Sequence, residues 1–126
     1  MDVKIDTKEI FHVISILDSE ATANMSASFL DIIAKKQEQD SKSLILNISN
    51  LINIDEEFGQ TLIKLSSRLY AEKKSFVICN MSEPVKNLLS ELDLLNQLNT
   101  TPTESEAWDI VQMEEIEREL DADFSE

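Results

Sequence analysis

The sequence predicts a single domain of the α/β class, and three observations support this prediction. Apolar runs rich in β-branched residues alternate with segments whose apolar residues recur at helical spacing. Residues 44–48, 58–73 and 75–79 follow the order strand, helix, strand, which indicates a crossover unit. The length of 126 residues is typical of one compact domain, and the sequence contains no repeat and no linker rich in proline and glycine.

The N-terminal elements are predicted from residue type and spacing. Residues 10–17 are rich in β-branched and aromatic residues, which favour a strand, and residues 3–5 are a candidate partner strand. Residues 21–36 predict an amphipathic helix, because their apolar residues recur at helical spacing. These apolar residues are Met25, Phe29, Ile32 and Ile33. Residues 44–48 predict a second principal strand.

The central helix and the strand after it are predicted in the same way. The helix covers residues 58–73, and residues 75–79 form a third principal strand. The apolar stripe of the helix consists of Phe58, Leu62, Leu65 and Leu69.

The remaining elements carry helix-start signals. Ser82 and Pro84 suit the first turn of a short helix. Residues 98–100 are predicted to add an edge strand. Thr103 and Glu106 match a capping box, which opens the last helix.

The C-terminal segment becomes strongly acidic. We therefore divide the chain into a folded domain of residues 1–113 and an acidic extension of residues 114–126, which we expect to fray or to be disordered. A second interpretation stays open, in which Ile116, Leu120 and Phe124 make the extension an arm that binds a partner.

Charge and composition restrict the classes of partner and the location. The formal net charge of -14 disfavours nucleic acid and anionic membrane surfaces, since both present phosphates. No apolar stretch approaches the roughly 18 residues of a membrane span, and the N-terminus lacks a basic region followed by an apolar one. The single cysteine, Cys79, has no partner for an internal disulfide. These features predict a cytoplasmic protein without membrane insertion.

The sequence argues against catalysis and against a bound cofactor. Because Gly59 is the only glycine, the chain has no glycine-rich phosphate loop, no dinucleotide fingerprint and no nucleophile elbow. The only histidine, His12, lies in a strand-like run, so a packed or edge-exposed residue is favoured over a general base. We expect that the protein is not an enzyme and has no cofactor.

The one metal site that we considered from the sequence is a calcium-binding loop. Asn53, Asp55 and Glu57 alternate like the first oxygen ligands of such a loop. The sixth position is Phe58 instead of glycine and the twelfth is Lys64 instead of glutamate. We therefore expect no metal site.

The strongest candidate for a functional site is the segment of Asp55, Glu56, Glu57, Phe58 and Gly59, here called the acidic turn. Three consecutive carboxylates occur where a strand is followed by a helix. A helix N-terminus has free backbone N–H groups, which favour negative charge. We predict that the acidic turn and the helix after it contact a partner.

Several segments match a known family in order and in spacing. They are residues 44–48 leading to Ile54 and Asp55, and residues 76–79, 82–89, 94–95 and 101–107. Through these segments the chain resembles STAS domains, and in particular the bacterial anti-sigma-factor antagonists. The resemblance runs from the N-terminal strands to about Val111. It implies a STAS-like fold, a mixed β-sheet with helices packed on it.

The resemblance also implies regulation by reversible phosphorylation of a hydroxyl just after the aspartate at the strand end. Asp55 matches this aspartate, whereas Glu56 occupies the usual serine position and Glu57 the next hydroxyl position. Phe58 stands at the family's glycine, and Gly59 comes one place late. We hypothesise that Glu56 imitates part of a phosphoserine. Alternatively, Asp55 caps the helix and the two glutamates only interact with its positive end.

The partner that the resemblance implies is an anti-sigma factor or a serine-kinase-like regulator. A second function stays open, in which the chain is a STAS-type scaffold or a domain that senses a nucleotide or a lipid. Leu94 and Leu95 leave a homodimer open, although burial in the core is the favoured explanation for both.

Overall fold

The computed structural model describes residues 1–124 and the side chains of residues 1–121. The strands are β1 (Val3–Thr7), β2 (Phe11–Ile16), β3 (Glu20–Ala21), β4 (Ser43–Asn47), β5 (Asn53–Ile54), β6 (Phe76–Cys79) and β7 (Thr100–Thr101). The helices are α1 (Ser26–Gln39), α2 (Glu56–Ala71), α3 (Glu83–Glu91) and α4 (Glu104–Phe124). Two short 3-10 helices lie at Ala23–Met25 and Leu95–Gln97.

The five-stranded sheet is mixed, which confirms the predicted fold class. Its strand order is β1-β2-β4-β6-β7. The edge strand β1 pairs with β2, as predicted; this pair is antiparallel, and each later pair is parallel. A second, small sheet joins β3 and β5, with Ala21 opposite Ile54.

Helices cover both faces of the sheet, so the central strands β4 and β6 are buried along almost their whole length. In β4, Leu44 and Leu46 point into the larger core, while Ile45 lies in a smaller core on the other face. Strands that are buried on both faces read as continuous apolar runs instead of alternating ones. This explains why residues 44–48 and 75–79 are strongly apolar.

The two cores belong to different helices. Residues of α1, α2 and α3 fill the larger core, for example Phe29, Leu62 and Leu89. Helix α4 alone covers the other face, where Ala107 and Val111 pack in the smaller core. The α2 and α4 helices therefore lie on opposite sides of the sheet.

The first helix begins later than predicted. Instead of a helix from residue 21, the chain forms β3 and a 3-10 helix before α1 starts at Ser26. The cause is a tertiary contact, because Ala21 pairs with Ile54 in the small sheet. The last strand also differs, since it covers Thr100–Thr101 and not residues 98–100.

Helix α4 continues well beyond the point at which fraying is predicted. Side chains of its second half are tied to the domain: Tyr70 donates a hydrogen bond to Glu114 at 2.8 Å, and Arg118 donates one to Ser75 at 2.8 Å. These contacts add tertiary support to an acidic helix of low intrinsic amphipathicity. Of the predicted extension, Ser125 and Glu126 lie outside the described residues, as does the side chain of Phe124. The division at residue 113 remains a prediction.

None of the described helices combines the length and the apolar character that a membrane crossing requires.

At Gly59, helix α2 lies close to Leu89 of α3 and to Leu94, which follows α3. A Cβ atom at this position would meet Leu94 Cδ1 at 2.8 Å and Leu89 Cδ2 at 3.2 Å. Both leucines are buried in the larger core. The absence of a side chain at Gly59 lets the beginning of α2 pack directly on them.

We predict that Gly59→Val lowers the free energy of unfolding by about 1–3 kcal/mol, because the added methyl groups overpack the core. Urea unfolding followed by circular dichroism measures this change. The matched control is Gln60→Val, which places the same side chain at the exposed neighbouring position. Its cost should stay within about 0.7 kcal/mol, the range of helix propensity among ordinary residues. Equal losses in the two variants would contradict a packing restriction at Gly59.

Candidate functional site

The carboxylate of Asp55 joins two segments of backbone. Its Oδ1 accepts a hydrogen bond from the N–H of Phe58 at 2.9 Å, which caps α2. Its Oδ2 accepts one from the N–H of Ala23 at 2.7 Å, at the start of the 3-10 helix. Each oxygen therefore satisfies a helix-start N–H group, and the side chain fixes two helical segments relative to each other.

The small sheet places Asp55 for this role. The N–H of Asp55 donates to Ala21 O at 3.1 Å, directly after the pairing of Ala21 with Ile54. The N–H groups of Ile52 and Asn53 both donate to Ser19 O, at 2.8 and 3.2 Å. The loop before α2 is thus held against the loop that follows β2.

Glu56 and Glu57 form the exposed part of the acidic turn. They are the first two residues of α2, and both side chains are exposed. The N-terminus of a helix carries partial positive charge, so carboxylates there are stabilised by about 0.3–1 kcal/mol each. The arrangement presents negative charge to solvent at a position that the preceding cap fixes.

Phe58 and Gly59, the other two residues of the predicted contact segment, are buried. The ring of Phe58 has no exposed surface and lies 5.2 Å, between centroids, from that of Phe29. They lie in the core below the turn. A partner that reaches the turn would therefore meet Glu56 and Glu57, with Asp55 half-buried behind them.

The sequence analysis missed two exposed apolar side chains on the loops that meet before α2. Leu17 follows the last buried residue of β2, and Ile52 precedes β5 with 61% of its surface exposed. Their loops meet through the hydrogen bond from Ile52 to Ser19. Ile52 stands directly after Leu51 and two residues before Ile54, both of which are buried, so the local sequence gave no signal that Ile52 is exposed. Leu17, Ile52, Glu56 and Glu57 are here called the turn surface.

Two residues outside the acidic turn, His12 and Cys79, have side chains that could react, and both are buried. His12 is fully buried; its Nε2 lies 2.7 Å from Asp40 O and its Nδ1 lies 3.0 Å from Thr7 Oγ1. Because a carbonyl oxygen only accepts, Nε2 carries the proton, and in the neutral ring the Thr7 hydroxyl donates to Nδ1. His12 is therefore a packed residue, as predicted.

Cys79 is a buried strand residue of the smaller core. Burial raises the pKa of its thiol to about 12, and the negative charge of Glu104 contributes further to the increase. A thiol in this state is protonated at neutral pH and is a poor nucleophile.

The residues considered as calcium ligands do not form a cluster. Both oxygens of Asp55 are already committed to backbone N–H groups. Across the part of the chain that the structure describes, no group of three or more His, Cys, Asp or Glu side chains is arranged to hold a metal ion.

Residues 2–107 match the STAS domain family, so the chain belongs to this family. The solved structures that it resembles include anti-sigma-factor antagonists. A STAS-domain antagonist protein of Planctomyces limnophilus is 15% identical with a TM-score of 0.72, and the match covers 89% of this chain and 99% of that one.

Two further solved structures have similar sequence identity, TM-score and coverage. A serine-to-glutamate variant of RsbS from Moorella thermoacetica is 20% identical, with a TM-score of 0.73 and coverage of 89% and 96% of the two chains. The antagonist SpoIIAA of Bacillus in its unphosphorylated form is 18% identical, with a TM-score of 0.70 and coverage of 88% and 96%. At these identities the likeness shows a shared fold. A comparison with curated proteins found no match.

We predict that Asp55→Ala destabilises the domain by about 2 kcal/mol, since it removes a helix cap and leaves the N–H of Ala23 without its acceptor. Chemical unfolding measures the loss. Glu56→Ala is the matched control, because it removes an exposed carboxylate from the next position and should change stability by at most about 1 kcal/mol. If the two variants lose equal stability, Asp55 does not have the bridging role.

We predict that Cys79 in the folded protein reacts with maleimide at least about a hundredfold more slowly than in the urea-unfolded chain, because the reactive thiolate is scarce and buried. Mass spectrometry of timed samples near neutral pH measures both rates. A Gln60→Cys variant places a second thiol at an exposed helix position, where labelling should be fast in the folded protein. Rapid labelling of native Cys79 would contradict its raised pKa.

Proposed function

We propose that this STAS domain is a non-catalytic regulatory module that binds an anti-sigma factor or a serine-kinase-like regulator through the turn surface. The observation that carries the proposal is Glu56, an exposed carboxylate directly after the capping Asp55. In the antagonists that the chain resembles, a phosphorylatable serine follows the matching aspartate. Glu56 is thus a permanent anion at a position where such relatives change charge by modification.

The charge of Glu56 reproduces part of the modified state. A phosphoserine carries about -1.5 to -2 charge and three acceptor oxygens, whereas glutamate has about one charge and two oxygens. Both groups are stabilised by the N-terminus of a helix. In the family, phosphorylation weakens binding to the serine-kinase anti-sigma factor, so Glu56 is proposed to hold the domain in the weakly binding state.

Asp55, Phe58 and Gly59 have structural roles in the acidic turn and Glu56 does not, which supports a role for Glu56 in binding. Asp55 has both oxygens engaged, and Phe58 and Gly59 are buried. Glu56 and Glu57 are left exposed, and so are the apolar side chains of Leu17 and Ile52 on the two loops that meet before α2. Charged groups beside a small apolar area are suited to a specific interface, in which the charges select the partner.

We predict that Glu56→Ser binds a serine-kinase anti-sigma factor of the source organism about tenfold more tightly than the wild-type domain, because one negative charge is removed from the interface. Isothermal titration calorimetry measures the affinities. The same variant should accept phosphate from labelled ATP when it is incubated with the kinase and Mg²⁺. The phosphorylated product should return to weak binding.

Glu57→Ser is the matched control, since it makes the same substitution one residue later on the same exposed turn. It should accept no phosphate and change affinity less than Glu56→Ser. Unchanged affinity of Glu56→Ser, together with no incorporated phosphate, would remove the proposed switch position. Wild-type binding that Leu17→Ser and Ile52→Ser leave unchanged would show that the partner uses another surface.

A further inference from the structure

Helix α4 has two apolar sides, and the sheet covers one of them. Ala107 and Val111 are fully buried against the sheet, and Arg118 continues this side of the helix toward Ser75. On the opposite side, Met113 and Ile116 are each 57% exposed and Leu120 is 50% exposed. Residues spaced by three and four positions lie on one side of a helix, so these last three form a continuous stripe, here called the α4 stripe.

The α4 stripe is held in place by polar contacts on the other side of the helix. Glu115 accepts a hydrogen bond from Ser43 at 2.9 Å and pairs with Arg118 at 2.7 Å. Glu114 accepts from Tyr70 at 2.8 Å, and Tyr70 in turn accepts from Asn99 at 2.8 Å. The stripe is therefore presented by a helix that is anchored to the domain at several points, and a partner would not need to order it first.

An apolar groove widens the stripe toward the β1–β2 turn. Its apolar wall consists of Ile10, Phe11, Trp108 and Ile116, and the groove has a volume of about 480 Å³. Three acids, Glu9, Glu115 and Glu119, and one base, Lys8, also line it, and Lys8 Nζ lies 5.4 Å from the centroid of the Trp108 ring. The rings of Phe11 and Trp108 are in edge contact at 5.1 Å between centroids, which makes the base of the groove rigid. The groove and the α4 stripe together offer a contiguous surface for apolar side chains.

Charge identifies the kind of partner that fits this surface. Glu117 flanks the stripe on one side and Glu119 on the other, and both are exposed. Asp109 continues the line of the stripe toward the start of α4, and Arg118, the only basic residue of this helix, is engaged by Glu115. A second copy of the chain would bring the same acids together and would be repelled.

We infer that the α4 stripe and its groove bind a basic amphipathic helix of another protein. The apolar side chains of such a helix would cover Met113, Ile116 and Leu120, while its Lys or Arg residues would face Glu117 and Glu119. This is the recognition of an amphipathic helix by its apolar anchors, with the flanking charges setting the choice of partner. Helix α2, which begins with Glu56 and Glu57, and helix α4 lie on opposite faces of the sheet, so the two surfaces can be tested separately.

The test uses the full chain and a fluorescently labelled helical peptide, with leucine at alternating spacings of three and four and lysine elsewhere. A scrambled peptide of the same composition has equal charge but no apolar side. Fluorescence anisotropy should show at least about tenfold tighter binding of the amphipathic peptide. Leu120→Ser should weaken this binding by about tenfold, whereas Leu30→Ser, the same change at an exposed site on α1, should leave it unchanged.

Two double variants test whether the acidic residues beside the α4 stripe contribute to binding. The double variant of Glu117→Gln and Glu119→Gln should weaken binding of the amphipathic peptide by about tenfold and reduce its dependence on salt. The double variant of Glu56→Gln and Glu57→Gln removes equal charge from the turn surface and should have little effect. Circular dichroism establishes that each variant retains the fold.

Three results would overturn the inference. The first is equal binding of the amphipathic and scrambled peptides, which would mean general attraction to an acidic protein. The second is an equal loss in the α4 variants and their controls. The third is self-association of the wild type in analytical ultracentrifugation that Leu120→Ser abolishes, because the occupant would then be a second copy.

Discussion

The arrangement of the candidate site depends on one side chain, the carboxylate of Asp55. Its two oxygens receive the N–H groups of Phe58 and Ala23, which belong to different segments of the chain. Without an acceptor of this shape, the beginning of α2 and the 3-10 helix before α1 would both have unsatisfied N–H groups at the same place. The aspartate fixes where the helix begins, and thereby which glutamates are exposed. Asp55 therefore has the structural role, while its neighbours Glu56 and Glu57 are left exposed to solvent.

The sequence was sufficient for the class of fold and for most of its elements. Apolar residues at helical spacing located α2, and apolar runs rich in β-branched residues located the strands β2, β4 and β6, because these elements are buried along most of their length. The sequence pattern failed at residues 21–25, where a helical pattern gave way to a pairing between Ala21 and Ile54 that is distant along the chain. Composition also cannot show that Arg118 and Glu114 of α4 form hydrogen bonds with Ser75 and Tyr70.

The local structure of the acidic turn could be predicted from the sequence only in part. Three carboxylates at a strand-to-helix turn are visible in the sequence, and the capping role of Asp55 follows from its position. Burial of Phe58 and Gly59 depends on how α2 packs on α1 and α3, which the local sequence does not specify. The exposure of Leu17 and Ile52 depends on two loops that meet only in the folded chain. The helix cap could be predicted from the local sequence, whereas the residues that share the exposed surface could be identified only from the tertiary structure.

The antiparallel strand β1 at the border of the sheet has a consequence for how the folded chain behaves among its own copies. A strand at a border leaves backbone donors and acceptors that another strand could use, and the opposite border, β7, is only two residues long. In β1, Lys4 and Asp6 are exposed, so an added strand would have to strip water from both charges. With a net charge of -14 on each molecule, repulsion opposes that approach before contact. The border strand thus resists the strand-by-strand growth from which fibrils form.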